Sequence, residues 1–251
     1  MSLWYLTARR LKVFVKQPAF LFVTLIQPAI WLFLFGNLFR RIVDLPGFGG
    51  GSYLTYLVPG VVVMSAVSSS MWSGMGVLEE IDRGTMNRFL ITPARRGAIL
   101  DAVVIEQSLS VTLQSIIIVL LGLAAGARYP LSGVVLLVVS SALLGVVFSA
   151  LSNTAGMLVR QRETIIGLNT LLLLPLTFLS SAFVAPGLMP GWMQAVAKGN
   201  PVNWALETCR SSLLGSSDWP HALSYGGGLL LLAAALVYLS TRTFRAYQKA
   251  V

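Results

Sequence analysis

Charge is what this sequence lacks most. Only 11% of its 251 residues are Asp, Glu, Lys or Arg, less than half of the roughly 25% usual in soluble domains. Apolar residues make up 56%, and the mean hydropathy is +0.79. A soluble domain of this length has too little interior to hide so much apolar side chain. A disordered chain would be polar. Lys and Arg number 18 against 9 Asp and Glu, a formal net charge of +9. These charges stand between long neutral runs instead of covering a polar surface, which excludes nucleic acid as the partner. The class is an all-α integral membrane protein.

Cysteine and histidine are each represented once, by Cys209 and His221. An intrachain disulfide is therefore impossible, and no metal site is expected. The simplest reading of Cys209 is a small buried apolar residue. The four lysines are Lys12, Lys16, Lys198 and Lys249, and none stands in a glycine-rich P-loop. The chain is thus expected to bind no nucleotide or other cofactor itself. No H-E-x-x-H, no G-x-S-x-G and no pair of carboxylates facing a pocket is present, so no enzymatic role is expected. Ser65, Ser68, Ser69 and Ser70, and Ser180 with Ser181, read as close-packing positions in membrane helices. Within the apolar runs Glu106 is the one clear ionisable group, too little for a proton- or ion-coupled carrier. The energy for any transport must come from elsewhere.

What is abundant is length of neutral chain. A helix needs about 20 residues to cross the hydrocarbon. Uncharged runs of that size fall at about residues 20–39, 53–78, 100–127, 131–159, 164–184 and 222–241, which predicts six spans. Thirteen of the 18 basic residues then lie on the side of the two termini, including Arg83, Arg88, Arg95, Arg96, Arg160 and Arg162. By the positive-inside rule both termini are expected in the cytoplasm. No small-residue cleavage site follows the first run, so no cleavable signal is expected. In residues 1–17, Arg9, Lys12 and Lys16 share one helical face and Trp4, Ala8, Leu11 and Val15 another. That spacing suits an amphipathic helix lying at the interface against anionic lipid headgroups; a plain positive flank of the first span is the alternative. The whole chain reads as a single membrane domain.

Two segments fit neither a span nor a plain loop. Residues 79–97 are the most charged part of the chain. Gly84 can stop the incoming helix, Thr85 can cap a short new one, and Met86, Phe89 and Leu90 then share a face. Such a helix running along the membrane surface could dock a soluble partner; a solvated basic loop is the alternative. Residues 171–214 are mostly apolar but interrupted by Pro175, Pro186, Pro190 and Pro201. The pieces 192–197 and 201–214 are too short to cross and read as re-entrant or interfacial helices on the external side. Asn200-Pro201 has the form of an N-cap followed by a first-turn proline. Glu207 and Arg210, three apart, are expected to pair.

Several of these stretches carry a resemblance. Tyr53-Leu54-Thr55-Tyr56-Leu57-Val58-Pro59-Gly60 resembles the entry to the second span of the type-2 ABC transporter permeases. The branch is that of daunorubicin-resistance and nodulation-factor exporters. Glu80-Ile81-Asp82-Arg83-Gly84-Thr85, with Phe89-Leu90-Ile91-Thr92-Pro93, is similar to that family's coupling helix. Leu174-Pro175-Leu176-Thr177-Phe178-Leu179-Ser180-Ser181-Ala182-Phe183, with Met189-Pro190-Gly191-Trp192 and Asn200-Pro201, is similar to its C-terminal signature. The resemblance covers nearly the whole chain.

The resemblance implies a half-transporter of six spans in a bacterial inner membrane. A second permease protomer, identical or related, and two copies of a separate ATPase subunit complete it, with ATP and Mg on the ATPase. Glu79, Glu80, Asp82, Arg83, Gly84, Thr85 and Arg88 would contact that ATPase. Residues 1–17 match the interface helix, and residues 185–220 match external re-entrant helices that close the outer side. Pro175, Phe183, Glu207 and Arg210 are candidate gate residues there. The first, second and fifth spans would line the pathway, which nominates Trp31, Phe35, Met64, Met71, Trp72, Asn169, Thr170 and Phe178. Aromatics and methionine offer adaptable apolar contact, so an amphipathic drug-like or lipid-like molecule is the expected cargo. A glycan or lipo-oligosaccharide is the alternative, and a secondary carrier or channel a more distant one.

Overall fold

The computed structural model describes residues 18–39, 41, 52–83, 98–213 and 219–250. They form helices α1 (Pro18–Leu38), α2 (Tyr53–Met71), α3 (Ser73–Asp82), α4 (Ala98–Ala124), α5 (Leu131–Val159) and α6 (Arg162–Phe178). After these come a 3-10 turn (Pro186–Leu188), α7 (Gly191–Lys198), α8 (Pro201–Leu213) and α9 (Trp219–Ala250). No strand occurs among the described residues. The expected interface helix at residues 1–17, and Gly84, Thr85, Arg88 and the rest of the segment to residue 97, lie outside them.

Among the described residues, four helical stretches are long and apolar enough to cross a membrane: Tyr53–Asp82, Asp101–Ala124, Leu131–Val159 and Trp219–Phe244. The protein is an all-α integral membrane protein. α1, with 21 residues, and α6, with 17, occupy the positions expected for the first and fifth spans.

α5 is the centre of the bundle and packs on α2, α3, α4, α8 and α9. Its 29 residues carry no charge, giving a helix about 43 Å long at 1.5 Å per residue. Gly133, Ser140, Ser141, Gly145, Ser149, Ser152 and Gly156 are buried along it. Small side chains let neighbouring backbones approach closely, which is what holds helices together where the lipid is as apolar as leucine. The core around it includes Leu57, Val61, Leu137, Leu144, Phe148 and Leu206. By contrast α9 exposes Leu223, Leu230, Leu231 and Tyr238, a face suited to lipid.

One sequence expectation changes and another is refined. The fifth apolar run, expected to span residues 164–184, is helical only to Phe178. Pro175 lies in its last turn, and the Asn200 amide takes the carbonyls of Leu176 (2.6 Å) and Leu179 (3.1 Å) that a longer helix would have used. The second run is the expected span, Tyr53–Asp82, with one irregularity the sequence did not show: a single turn residue, Trp72, separates α2 from α3.

Candidate functional site

Three helices line a half-open cavity of about 180 Å³. Its wall is Gln27, Pro28 and Trp31 from α1, Val61, Met64, Ser65, Ser68 and Ser69 from α2, Trp72 at the break, and Gln114 from α4. Ser65, Ser68 and Ser69 meet there because positions i, i+3 and i+4 share a helical face. Gln107 adds long contacts from its amide to the hydroxyls of Ser69 (3.4 Å) and Ser70 (3.5 Å). The wall holds two indoles, a thioether, hydroxyls and amides, and no ionised side chain.

Of the nominated pathway residues, Trp31, Met64 and Trp72 are on this wall, and Phe35, Met71, Asn169, Thr170 and Phe178 are not. Phe35 and Phe178 instead form an aromatic cluster around Phe183. Phe183 lies 5.7 Å from Trp31, 6.0 Å from Phe35 and 5.6 Å from Phe178 between ring centres. Trp31 packs against Phe35 in a tilted pair with ring centres 4.6 Å apart, so one indole belongs to both the cavity and the cluster. Met71 is buried. On α6, Asn169 is buried and Thr170 is exposed with its hydroxyl donated to Ile166 O at 3.0 Å. Sequence reading did not single out Gln27 and Gln114, and it read the three serines as packing positions only. Their helical spacing was the available signal.

At one end of the bundle α8, reached through α7, packs against the Tyr53 end of α2. Asn200 is the pivot. Its Oδ1 accepts from the Val202 amide at 2.9 Å, capping α8, while its amide ties down the end of α6. Asn203 Oδ1 accepts from the Ser181 amide (3.1 Å) and hydroxyl (2.6 Å). Arg210 is buried; it donates to the Ser181 carbonyl and stacks over Tyr56 with its guanidinium carbon 4.2 Å from the ring centre. Tyr56 donates to the same carbonyl at 2.7 Å. The expected Glu207–Arg210 pair is replaced: Glu207 lies 3.5 Å from His221 of α9. Arg210 is drawn inward because a stripped carbonyl and a ring face are waiting there. Gly60 completes the join, since a Cβ there would overlap the Ala182 carbonyl. Cys209 is buried beside Arg210, and burial pushes its thiol up to about 12. Burial likewise raises Tyr129, whose hydroxyl donates to Thr55 O at 3.0 Å.

At the other end α3 carries the acidic group. Arg83 reaches Glu79 at 3.3 Å, one turn back. Asp82 pairs with Arg162 of α6 at 3.0 Å, a partner that lies 80 residues on and has no local signal. Between this end and the cavity stands the break. The Ser152 hydroxyl of α5 accepts from the Gly74 amide at 3.1 Å and donates to the Met71 carbonyl. Ser73 donates to Asn153 Oδ1 at 3.1 Å and accepts from Ser149 at 3.0 Å. The Met75 amide bonds Trp72 O at 3.0 Å, three residues back, instead of Met71 O. The Ser152 side chain thus satisfies two backbone groups that a break strands in hydrocarbon, while Ser149 and Asn153 hold the Ser73 hydroxyl.

Residues 1–214 match the family model described as ABC-2 type transporter. The chain is 29% identical over 239 residues to the daunorubicin resistance ABC transporter permease protein DrrB1 of Streptomyces coeruleorubidus, covering 91% of this chain and 81% of the relative. It is 30% identical over 210 residues to the putative transport permease ycf38 of Porphyra purpurea, covering 81% and 70%. With the inner membrane transport permease YadH of Escherichia coli K12 it shares 25% over 225 residues, covering 84% and 83%. The match takes in both ends of the bundle, from the acidic end of α3 to the Asn200 pivot, and the chain belongs to the ABC-2 type transporter family.

Proposed function

We propose that this chain is the permease of an ATP-driven exporter for amphipathic drug-like or lipid-like molecules. Two permease protomers, taken as identical, pair with two ATPase subunits that carry the ATP and Mg. In this reading the chain crosses a bacterial inner membrane six times with both termini in the cytoplasm, supported by the excess of Lys and Arg on that side. ATP binding on the partner closes a cavity that faces the cytoplasm or inner leaflet and opens the outer side, where Phe183 and the Asn200 pivot stand.

The observation that carries the reading is the cavity wall. Two indoles and Met64 offer polarisable apolar contact, while Ser65, Ser68, Ser69, Gln27 and Gln114 offer hydrogen bonds without charge. About 180 Å³ falls below the 300–1,000 Å³ usual for a whole drug-sized ligand. One protomer holds part of a molecule, and the second protomer completes the site. The daunorubicin relative makes that compound the first probe. A glycan cargo would call for a longer polar path than this wall provides.

The test addresses the coupling face. Glu80 and Arg83 are replaced together by Ala, and the ATPase subunit is co-purified and its turnover measured with and without daunorubicin. Loss of assembly or of stimulated turnover supports the reading. Unchanged assembly with unchanged turnover overturns the coupling role.

A further inference from the structure

We propose that Ser152 makes the break in the second span a two-state joint between the cavity and the ATPase-facing end of α3. The proposal goes beyond the permease reading and rests on it for the source of the motion.

The argument is an exchange of hydrogen bonds. In an unbroken helix Met75 N–H would bond Met71 O and Gly74 N–H would bond Ser70 O. At the break Ser152 Oγ takes two of the four freed groups, donating to Met71 O and accepting from Gly74 N–H, and Ser70 O accepts from the Trp72 amide. Met75 N–H moves to Trp72 O. When the helix is unbroken, the Ser152 hydroxyl can turn back to the carbonyl of Phe148 in its own α5, as serine does in membrane helices. Donors and acceptors are therefore served in both arrangements. Neither state carries the penalty of an unpaired backbone group in hydrocarbon, and that is the condition for two states of similar free energy.

The joint has a definite place in the protein. Trp72, the residue at the break, is also a wall of the cavity. Immediately beyond it α3 runs to Glu79, Asp82 and Arg83. A movement of α3 driven from Asp82 must turn about residues 72–74, and doing so moves the Trp72 indole. Gly74 is required for the present arrangement, because a Cβ there would overlap the Ser152 backbone carbonyl. Ser149 and Asn153 hold Ser73 on the same strip of α5. Ser152 is thus a positioning residue that acts through the α2–α3 backbone and not by contact with cargo.

The test uses the permease–ATPase complex in lipid nanodiscs with spin labels at Gly76→Cys and Val139→Cys. Nothing crowds a side chain at position 76, Val139 is exposed, and the native Cys209 is buried. Adding ATP with vanadate is expected to shift the 76–139 distance distribution from one population to a second. In Ser152→Ala that shift is expected to shrink at least threefold, one population holding in both conditions. Gly74→Ala, which crowds the broken arrangement, is expected to move the distribution toward the second population without nucleotide. A full shift in Ser152→Ala overturns the proposal. So does an unmoved distribution in an otherwise native complex that hydrolyses ATP, which keeps the question decidable even where Ser152→Ala fails to fold. Absence of any ATP hydrolysis by the complex counts against the permease reading, and the distance response to Gly74→Ala still judges the joint.

Discussion

The guanidinium carbon of Arg210 lies 4.2 Å from the centre of the Tyr56 ring, and both side chains donate to the Ser181 carbonyl. A cation, a ring and an acceptor thus meet where α8 is pressed against α2. The ring face and the carbonyl share the work of replacing water around a charge that is 7% exposed. Removing one of the three leaves the others incompletely satisfied.

Arg210→Ala is therefore expected to destabilise the folded protein by about 2–3 kcal/mol. Tyr56→Phe, which keeps the ring and loses only one hydrogen bond, is expected to cost about 1 kcal/mol. Denaturation in mixed micelles measures both, and the double variant is expected to fall short of their sum because the groups are coupled.

Asn200 offers a second test of the same end. Its side chain makes three bonds, to the carbonyls of Leu176 and Leu179 and from the Val202 amide. Asn200→Ala removes all three and is expected to cost about 2 kcal/mol or more. Asn200→Asp keeps the cap but cannot donate to the α6 carbonyls, and is expected to fall between the two. Limited proteolysis in the 179–200 segment is the readout.

Cys209 reports on that packing. Burial raises its thiol from 9.0 to about 12, so the protonated form persists through neutral and mildly alkaline pH. The thiolate is the reactive species. Maleimide at pH 8 is expected to leave the folded chain unlabelled and to label it fully in hot detergent. In Asn200→Ala or Arg210→Ala, labelling under native conditions is expected to appear. Labelling of the unsubstituted folded chain would contradict the packing described for α8.

At the cavity, Trp72→Ala and Trp31→Ala are each expected to weaken daunorubicin binding about tenfold, the loss of roughly 1.4 kcal/mol of aromatic contact. Ser68→Leu, which fills the space, is expected to do at least as much. Thr170→Val, on an exposed face of α6, is expected to change binding less than twofold. Fluorescence titration of the compound against each purified variant separates these outcomes.

How much of this was legible in the sequence follows the range of each interaction. The neutral runs gave the long helices because length and hydropathy are local properties. The run at 131–159 coincides with α5 residue for residue, since Pro130 and Arg160 bound it on either side. The Asn200-Pro201 cap was readable because capping is decided within a turn. What was not readable depends on partners far along the chain. The break at Trp72 is bonded by Ser152 on another helix, and the local signal, Gly74 and Gly76 just after it, is also what a packed membrane helix carries. Arg210 was assigned to Glu207 because three-residue spacing was all the sequence offered. The carbonyl of Ser181 and the ring of Tyr56 reach it only once the bundle is assembled. Asp82 likewise found Arg162 instead of a neighbour. Trp31, Met64 and Trp72 of the nominated residues line the cavity together with Ser65, Ser68 and Ser69, which the sequence alone presents as packing positions because their spacing does not say what the face meets.

The most direct measurement of the central claim is ATP-dependent accumulation of daunorubicin in proteoliposomes. The vesicles contain the permease with its ATPase subunit, and the nucleotide is supplied outside. Accumulation that requires both subunits and hydrolysable ATP, and that falls sharply in Trp72→Ala, is the result expected. Accumulation by the permease alone without ATP, or transport unaffected by omitting the permease, would contradict the account.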